Sequence, residues 1–187
     1  LRMSGRMLLM ETANRIQKEL MLTAYLFEYP TEDWWTNLLD YAEAAREVER
    51  PQTREVLTEF FEYVVESDRR EFEDAYVRTF DFSQNTNLYL TTHNRTDFGK
   101  QSEEMLAYKQ LFLDAGYDLE RELPDYLPAL LELTAAVPER TSLHILHEIQ
   151  PKLELLRDRL IEAKLPYAFL LDVVLTEASA LEGRTAS

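Results

Sequence analysis

The chain of 187 residues contains no cysteine and only four glycines, and each shortage excludes a class of protein. Without cysteine there is no disulfide, thiolate metal site, iron–sulfur cluster or cysteine nucleophile. Because no Asn-Gly or Asp-Gly turn separates alternating apolar runs, the signals of β-hairpins are missing. A β-rich fold is therefore disfavoured, and the absence of cysteine fits a reducing, cytoplasmic compartment.

Long apolar runs are also missing. Stretches such as residues 21–27 are too short to cross a bilayer, so we predict no membrane insertion. The first residues lack the apolar segment and small-residue cleavage site of a secretory signal. We expect one domain over residues 1–187, with residues 1–11 and 183–187 frayed.

Signatures of catalysis are absent as well, since the chain has no GxSxG, P-loop, GxGxxG or HExxH motif. His144 and His147 lie one helical turn apart beside Glu148, but spacing suggests no third metal ligand. Glu122 and Asp125 could form an acid/base couple, although a helix-capping and loop-fixing role is the favoured interpretation. We therefore predict that the protein is not an enzyme and that it binds neither a metal ion nor a cofactor.

The charge balance is strongly acidic, with 20 Lys and Arg against 35 Asp and Glu, a net charge of −15. Such a surface repels phosphate backbones and anionic lipids, so we do not expect the protein to bind nucleic acid. The same surface raises the rate of encounter with a basic polypeptide segment.

Apolar residues recur at helical spacing along most of the chain, which predicts an all-α bundle. The expected helical faces, in chain order, are Ile16, Leu20, Ala24 and Phe27; Trp35, Leu38, Leu39 and Ala42; Val56, Leu57, Phe60, Phe61, Val64 and Val65; Phe72, Tyr76 and Phe80; Met105, Tyr108 and Phe112; Leu127, Leu130, Leu131 and Leu133; Leu146, Ile149, Leu153, Leu156 and Leu160; and Leu170, Leu171, Val174, Leu175 and Ala178. Trp34 and Trp35 are interpreted as core residues where the second helix meets the first.

Several residues predict where helices begin, bend and end. Gly116 suits a left-handed residue after a helix, and Asp125 is a plausible N-cap. Thr141 or Ser142 could cap the next helix, which Pro151 should kink or split. Pro166 opens the last helix.

Periodicity fails over residues 81–99, where polar residues surround a brief Leu-Tyr-Leu run. A compact helical domain rarely keeps so long an irregular segment without a use, so we regard it as a functional candidate.

Two stretches of the sequence resemble one known family. YVRTFDFSQNTNLYLTTH, residues 76–93, and ELPDYLPALLE, residues 122–132, are similar to signatures of the nitrate reductase assembly chaperones, the NarJ group of the TorD/DmsD superfamily. The resemblance extends weakly through the EYP of residues 28–30. It departs from the family pattern at Gln101 and Ser102, where members often have Arg-Gly, and at Tyr126, where many have His.

The resemblance implies a TorD-like helical domain without catalysis of its own. Its implied partner is the immature nitrate reductase catalytic (alpha) subunit, bound through an N-terminal segment that is a remnant of a twin-arginine leader. Molybdenum cofactor is implied to be inserted before that subunit docks at the membrane. A homodimer is compatible with this pattern.

From these observations we expect residues 81–99 and the ELPD turn to meet and line one peptide groove. Leu88, Tyr89, Leu123, Tyr126 and Leu127 would form apolar walls, and Asp81, Glu122 and Asp125 would place negative charge at the mouth. His93 and Pro124 complete the expected peptide-binding set. The alternatives are an all-α metal-dependent hydrolase and a stable adaptor subunit.

Overall fold

The computed structural model describes residues 14–94, 97–119 and 121–186, apart from the Thr185 side chain. In that part of the chain there are eight α-helices, a 3-10 helix and no strand, which confirms the all-α prediction. The helices are α1 (Arg15–Phe27), α2 (Glu32–Arg46), α3 (Pro51–Glu66), α4 (Arg69–Phe80), α5 (Phe98–Asp114), α6 (Leu127–Ala136), α7 (Glu139–Glu162) and α8 (Tyr167–Thr185), with the 3-10 helix at Leu90–Asn94.

Helix α1 lies at the centre of the bundle, because every residue from Glu19 to Phe27 is buried. It packs most extensively on α6, and α7 packs on α8. An Asn14 capping box with Gln17 starts α1, which satisfies backbone N–H groups that would otherwise lack partners. Gly116, with φ of +80°, follows α5 in the left-handed conformation predicted from the sequence.

Aromatic residues join α1 to α2 and α4. The Trp34 indole N–H donates to the Tyr25 carbonyl at 2.8 Å, and the two rings stack at 4.8 Å. Tyr76 of α4 donates its hydroxyl to the Phe27 carbonyl at 2.5 Å. These contacts confirm the core interpretation of Trp34 and fix the end of α1, where the EYP segment of residues 28–30 begins.

The buried face of α2 differs from the prediction. Leu38 is buried and Trp35 is half-buried, but Leu39 is 68% exposed and the other inward positions are Trp34, Tyr41 and Ala45. The adjacent apolar pairs at 34–35 and 38–39 offered two helical faces, and stacking of Trp34 on Tyr25 selects the one that excludes Leu39.

Two expectations about α7 are also corrected. Pro151 does not split α7, because buried leucines on both sides of the proline hold one continuous helix. That helix starts after Pro138, and Ser142 instead donates its hydroxyl to the Thr134 carbonyl, so neither Thr141 nor Ser142 is the cap.

The last helix also runs further than expected. Residues 183–187 were expected to fray; α8 continues to Thr185 and Arg184 donates to Glu139 at 2.9 Å, while Ser187 lies outside the described residues. The expected fraying of residues 1–11 lies outside the described residues. Among the described helices, none combines the length and apolar character needed to cross a membrane.

Candidate functional site

The two segments that carry the sequence motifs meet, as predicted from the sequence. The Leu90 N–H donates to the Asp125 carbonyl at 3.0 Å, and the Leu127 N–H donates to the Leu88 carbonyl at 2.9 Å. Tyr89 therefore forms an isolated antiparallel bridge with Tyr126, residue 126 being the N-cap of α6.

This bridge determines which side chains face the solvent. Adjacent residues of extended backbone point in opposite directions, so Leu88 and Leu127 turn into the core, where they are 2% and 0% exposed. The prediction that these two leucines form groove walls is therefore wrong. Tyr89 and Tyr126 remain partly exposed on the outer side.

Asp125 also lies inside the molecule, with no exposed surface. Its Oδ2 accepts hydrogen bonds from the Thr91 backbone N–H at 3.1 Å and from the Thr91 hydroxyl at 2.6 Å. It neither caps α6 nor places charge at the mouth of a groove. Its role is the loop-fixing one considered for it, because it ties the 3-10 helix to the start of α6.

The outer side of the bridge is aromatic and acidic. The Tyr89 and Tyr126 rings lie 5.0 Å apart, and the Tyr89 hydroxyl donates to Glu122 Oε1 at 2.9 Å. Burial, followed by the hydrogen bond to Glu122 and nearby negative charges that include Asp81, raises the pKa of Tyr89 to about 12. Tyr89 is thus a neutral hydroxyl donor at any physiological pH. Leu123, beside Glu122, is 53% exposed.

The EYP segment reaches the same surface. The carboxylate of Glu28 adds to burial in raising the pKa of Tyr126, and the Tyr29 ring packs edge-on against Tyr76 at 5.6 Å. Burial, followed by interaction with Tyr126, raises the pKa of Tyr76, so these two tyrosines lie close together. Glu28 and Tyr29 were absent from the predicted site, although the weak EYP resemblance was the signal that could have found them.

We call this surface the aromatic–acidic patch. It consists of Glu28, Tyr29, Asp81, Tyr89, Glu122, Leu123 and Tyr126. Phe82 follows Asp81 directly and is 82% exposed, which makes it the most exposed large apolar side chain in the described chain. The patch brings aromatic rings and carboxylates together at the junction of these segments.

His93 and Pro124, the other two residues of the predicted peptide-binding set, lie in the same two segments. His93 is 6% exposed, its Nε2–H donates to the Asn87 carbonyl at 2.8 Å, and the Arg159 guanidinium donates to its Nδ1. The prediction that His93 contacts a peptide is therefore corrected, because both ring nitrogens are engaged inside the protein. Pro124 is half-buried in the turn before Asp125.

The other two histidines lie elsewhere, on the exposed side of α7. His147 Nε2 is 3.9 Å from Glu182 of α8. Within the described ranges, no group of three or more His, Asp and Glu side chains could hold a metal ion.

Known proteins give the family of the chain. The family described as "Nitrate reductase delta subunit" matches residues 35–171. The chain is 34% identical over 151 residues to the probable nitrate reductase molybdenum cofactor assembly chaperone NarJ of Bacillus subtilis (strain 168), covering 80% of this chain and 82% of the relative.

Two relatives from Escherichia coli (strain K12) indicate the same family. The nitrate reductase molybdenum cofactor assembly chaperone NarJ is 30% identical over 164 residues, covering 86% of this chain and 70% of the relative. The probable nitrate reductase molybdenum cofactor assembly chaperone NarW is 27% identical over 162 residues, covering 86% of this chain and 68% of the relative. The chain therefore belongs to the nitrate reductase delta subunit family, as a chaperone of the NarJ type.

Proposed function

We propose that this chain is a non-catalytic, cytoplasmic assembly chaperone for a nitrate reductase catalytic subunit. It holds the N-terminal segment of the immature subunit while molybdenum cofactor is inserted and releases it before the subunit docks at the membrane. The chain itself carries no cofactor in this proposal. The names of the relatives support nitrate reductase as the client, and the aromatic–acidic patch supports the mode of binding.

The observation that carries the proposal is the convergence of three separated segments on one exposed surface. The EYP segment, residues 81–93 and the ELPD turn bring aromatic rings and the carboxylates of Glu28, Asp81 and Glu122 together. Aromatic side chains give a partner much contact area, and the carboxylates favour a basic segment. Since Tyr89 keeps its proton, its hydroxyl is held by Glu122, which fixes the ring in place for binding.

Binding at the patch depends on the exposed side chains rather than on the buried leucines. We therefore choose Tyr89→Ala/Leu123→Ala as the patch variant. Leu113→Ala is the control, because Leu113 is a 50% exposed leucine of α5 that is not a member of the patch. Thermal unfolding of each variant establishes that it is folded before binding is compared.

Co-purification from native cells tests the proposal. Tagged wild-type chain should retain the catalytic subunit that lacks cofactor and release it once cofactor is loaded, whereas the patch variant should retain neither form. Equal retention of immature and loaded subunit would instead identify a stable adaptor and contradict the chaperone proposal.

A further inference from the structure

A second surface, which we call the acidic groove, lies between α2 and α3. It encloses a cavity of about 400 Å³ whose lining includes Leu39, Phe61, Val65, Glu43, Glu62 and Glu66. Leu39 is 68% exposed and Val65 is 48% exposed, so two large apolar side chains meet the solvent along one groove. Neither helix carries a residue of the aromatic–acidic patch.

The charges of the groove are arranged on both of its rims. Glu43 of α2 lies on one rim, and Glu62 and Glu66, one helical turn apart on α3, lie on the other. Arg46 is the one basic residue of the lining. Among the described residues, no ion pair neutralises any of these three glutamates. The groove is therefore an apolar strip whose borders carry three glutamates against one arginine, a net negative charge.

We propose that the acidic groove docks a basic amphipathic helix of the client polypeptide. The apolar face of that helix would place leucine-sized side chains against Leu39, Phe61 and Val65, because a volume of about 400 Å³ accepts a few side chains and not a helix backbone. Lysine or arginine residues on both flanks of its apolar strip would lie beside the glutamates of the two rims.

The negative charge of the chain favours a basic helix over a second copy of the chain as the occupant of the groove. With a net charge of −15, two copies meeting at the groove would bring their acidic rims together without neutralising them. A basic helix gains attraction from the same carboxylates. The proposal rests on the proposed function only in taking the client as the source of the helix, and the surface is distinct from the patch.

The test uses a synthetic amphipathic helix with leucine on one face and lysine on both flanks, and a matched peptide with glutamate replacing lysine. Calorimetry compares the wild-type chain, Leu39→Gln/Val65→Gln, Glu43→Gln/Glu62→Gln/Glu66→Gln, and the control Leu113→Gln/Ile161→Gln. The control residues are likewise exposed, on α5 and α7.

We expect the lysine peptide to bind the wild-type chain and the control equally, and to bind each groove variant about tenfold more weakly or worse. The glutamate peptide should not bind. Hydrogen exchange should show the lysine peptide protecting amides of α2 and α3. Equal binding to groove variants and control would overturn the inference, as would equal binding of the glutamate peptide.

The patch variant Tyr89→Ala/Leu123→Ala separates this inference from the proposed function. It should bind the lysine peptide normally if the groove is a distinct docking surface. Loss of lysine-peptide binding in the patch variant alone would overturn the groove and leave the proposed function standing. Sedimentation measures whether the wild-type chain and the groove variants form dimers. If the wild-type chain is a dimer and the groove variants are monomers, the occupant of the groove is a second copy and the inference is overturned.

Discussion

The Asp125 carboxylate accepts two hydrogen bonds from one residue, the backbone N–H and the hydroxyl of Thr91. Both residues are buried, so the pair joins the 3-10 helix Leu90–Asn94 to the start of α6 from within. The outer surface of the patch is built on this inner connection, because Tyr126 follows Asp125 directly and Tyr89 lies two residues before Thr91.

Removing that carboxylate should destabilise the whole chain. We expect Asp125→Ala to lower the free energy of unfolding by about 2–4 kcal/mol, since it leaves the buried Thr91 N–H and hydroxyl without their acceptor. Asp81→Ala, an exposed carboxylate of the patch, should change it by less than about 0.5 kcal/mol. Urea denaturation measures both, and similar small losses would show that the buried pair contributes little.

Neighbouring leucines of α2 test the helical face that the structure corrected. Leu38 is 5% exposed and Leu39 is 68% exposed. Leu38→Ala should therefore cost about 2–4 kcal/mol of unfolding free energy, and Leu39→Ala less than about 0.5 kcal/mol. Thermal unfolding of both variants measures the two losses. If Leu39→Ala loses more stability than Leu38→Ala, the buried face of α2 is the one expected from the sequence.

Two fully buried carboxyl groups, Glu19 of α1 and Glu177 of α8, lie together in the core. The Arg50 guanidinium donates to Glu177 at 3.0 Å, and Arg15 lies 3.9 Å from both glutamates. Burial, followed by the hydrogen bond to Glu177 and its negative charge, raises the pKa of Glu19 to about 9 from an ordinary value of 4.5. Glu19 therefore keeps its proton at neutral pH.

This arrangement makes stability depend on pH. In the unfolded chain Glu19 loses its proton near pH 4.5, whereas the folded chain holds it to about pH 9. The contribution of Glu19 to the free energy of unfolding is therefore fully present below pH 4.5 and is lost progressively as the pH rises towards 9. Glu19→Gln should flatten this fall in unfolding free energy, measured by urea denaturation across the window. The exposed control Glu55→Gln should leave the slope unchanged, and an equal slope in Glu19→Gln would show that Glu19 ionises normally in the folded chain.

Metal removal distinguishes the chaperone from a metal-dependent hydrolase. Within the described residues no cluster of ligands could hold a metal ion, so we expect a chelator to leave the unfolding temperature unchanged. Elemental analysis of the untreated protein should find no stoichiometric metal. A stoichiometric metal whose removal lowers the unfolding temperature would support the hydrolase.

The helices were predictable because apolar spacing of three and four residues is a local property of the sequence. The buried face of α2 was not, since adjacent apolar pairs satisfy two faces equally and a distant stack on Tyr25 chooses between them. The pairing of Glu19 with Glu177 likewise depends on α1 meeting α8, which no local pattern shows.

The candidate site was predictable in its segments and less so in its side chains. The meeting of residues 81–93 with the ELPD turn followed from the motifs, and alternation in Leu-Tyr-Leu could have indicated that Leu88 turns inward while Tyr89 turns outward. Burial of Asp125 and His93 could not be predicted, because their partners Thr91 and Arg159 are set by tertiary contacts.

Calorimetry with the N-terminal peptide of the client catalytic subunit tests the central claim most directly. The wild-type chain and Leu113→Ala should bind it equally, and Tyr89→Ala/Leu123→Ala should bind it at least about tenfold more weakly, because buried apolar contacts contribute about 1.5–3 kcal/mol each. Undiminished binding by the folded patch variant would contradict the account.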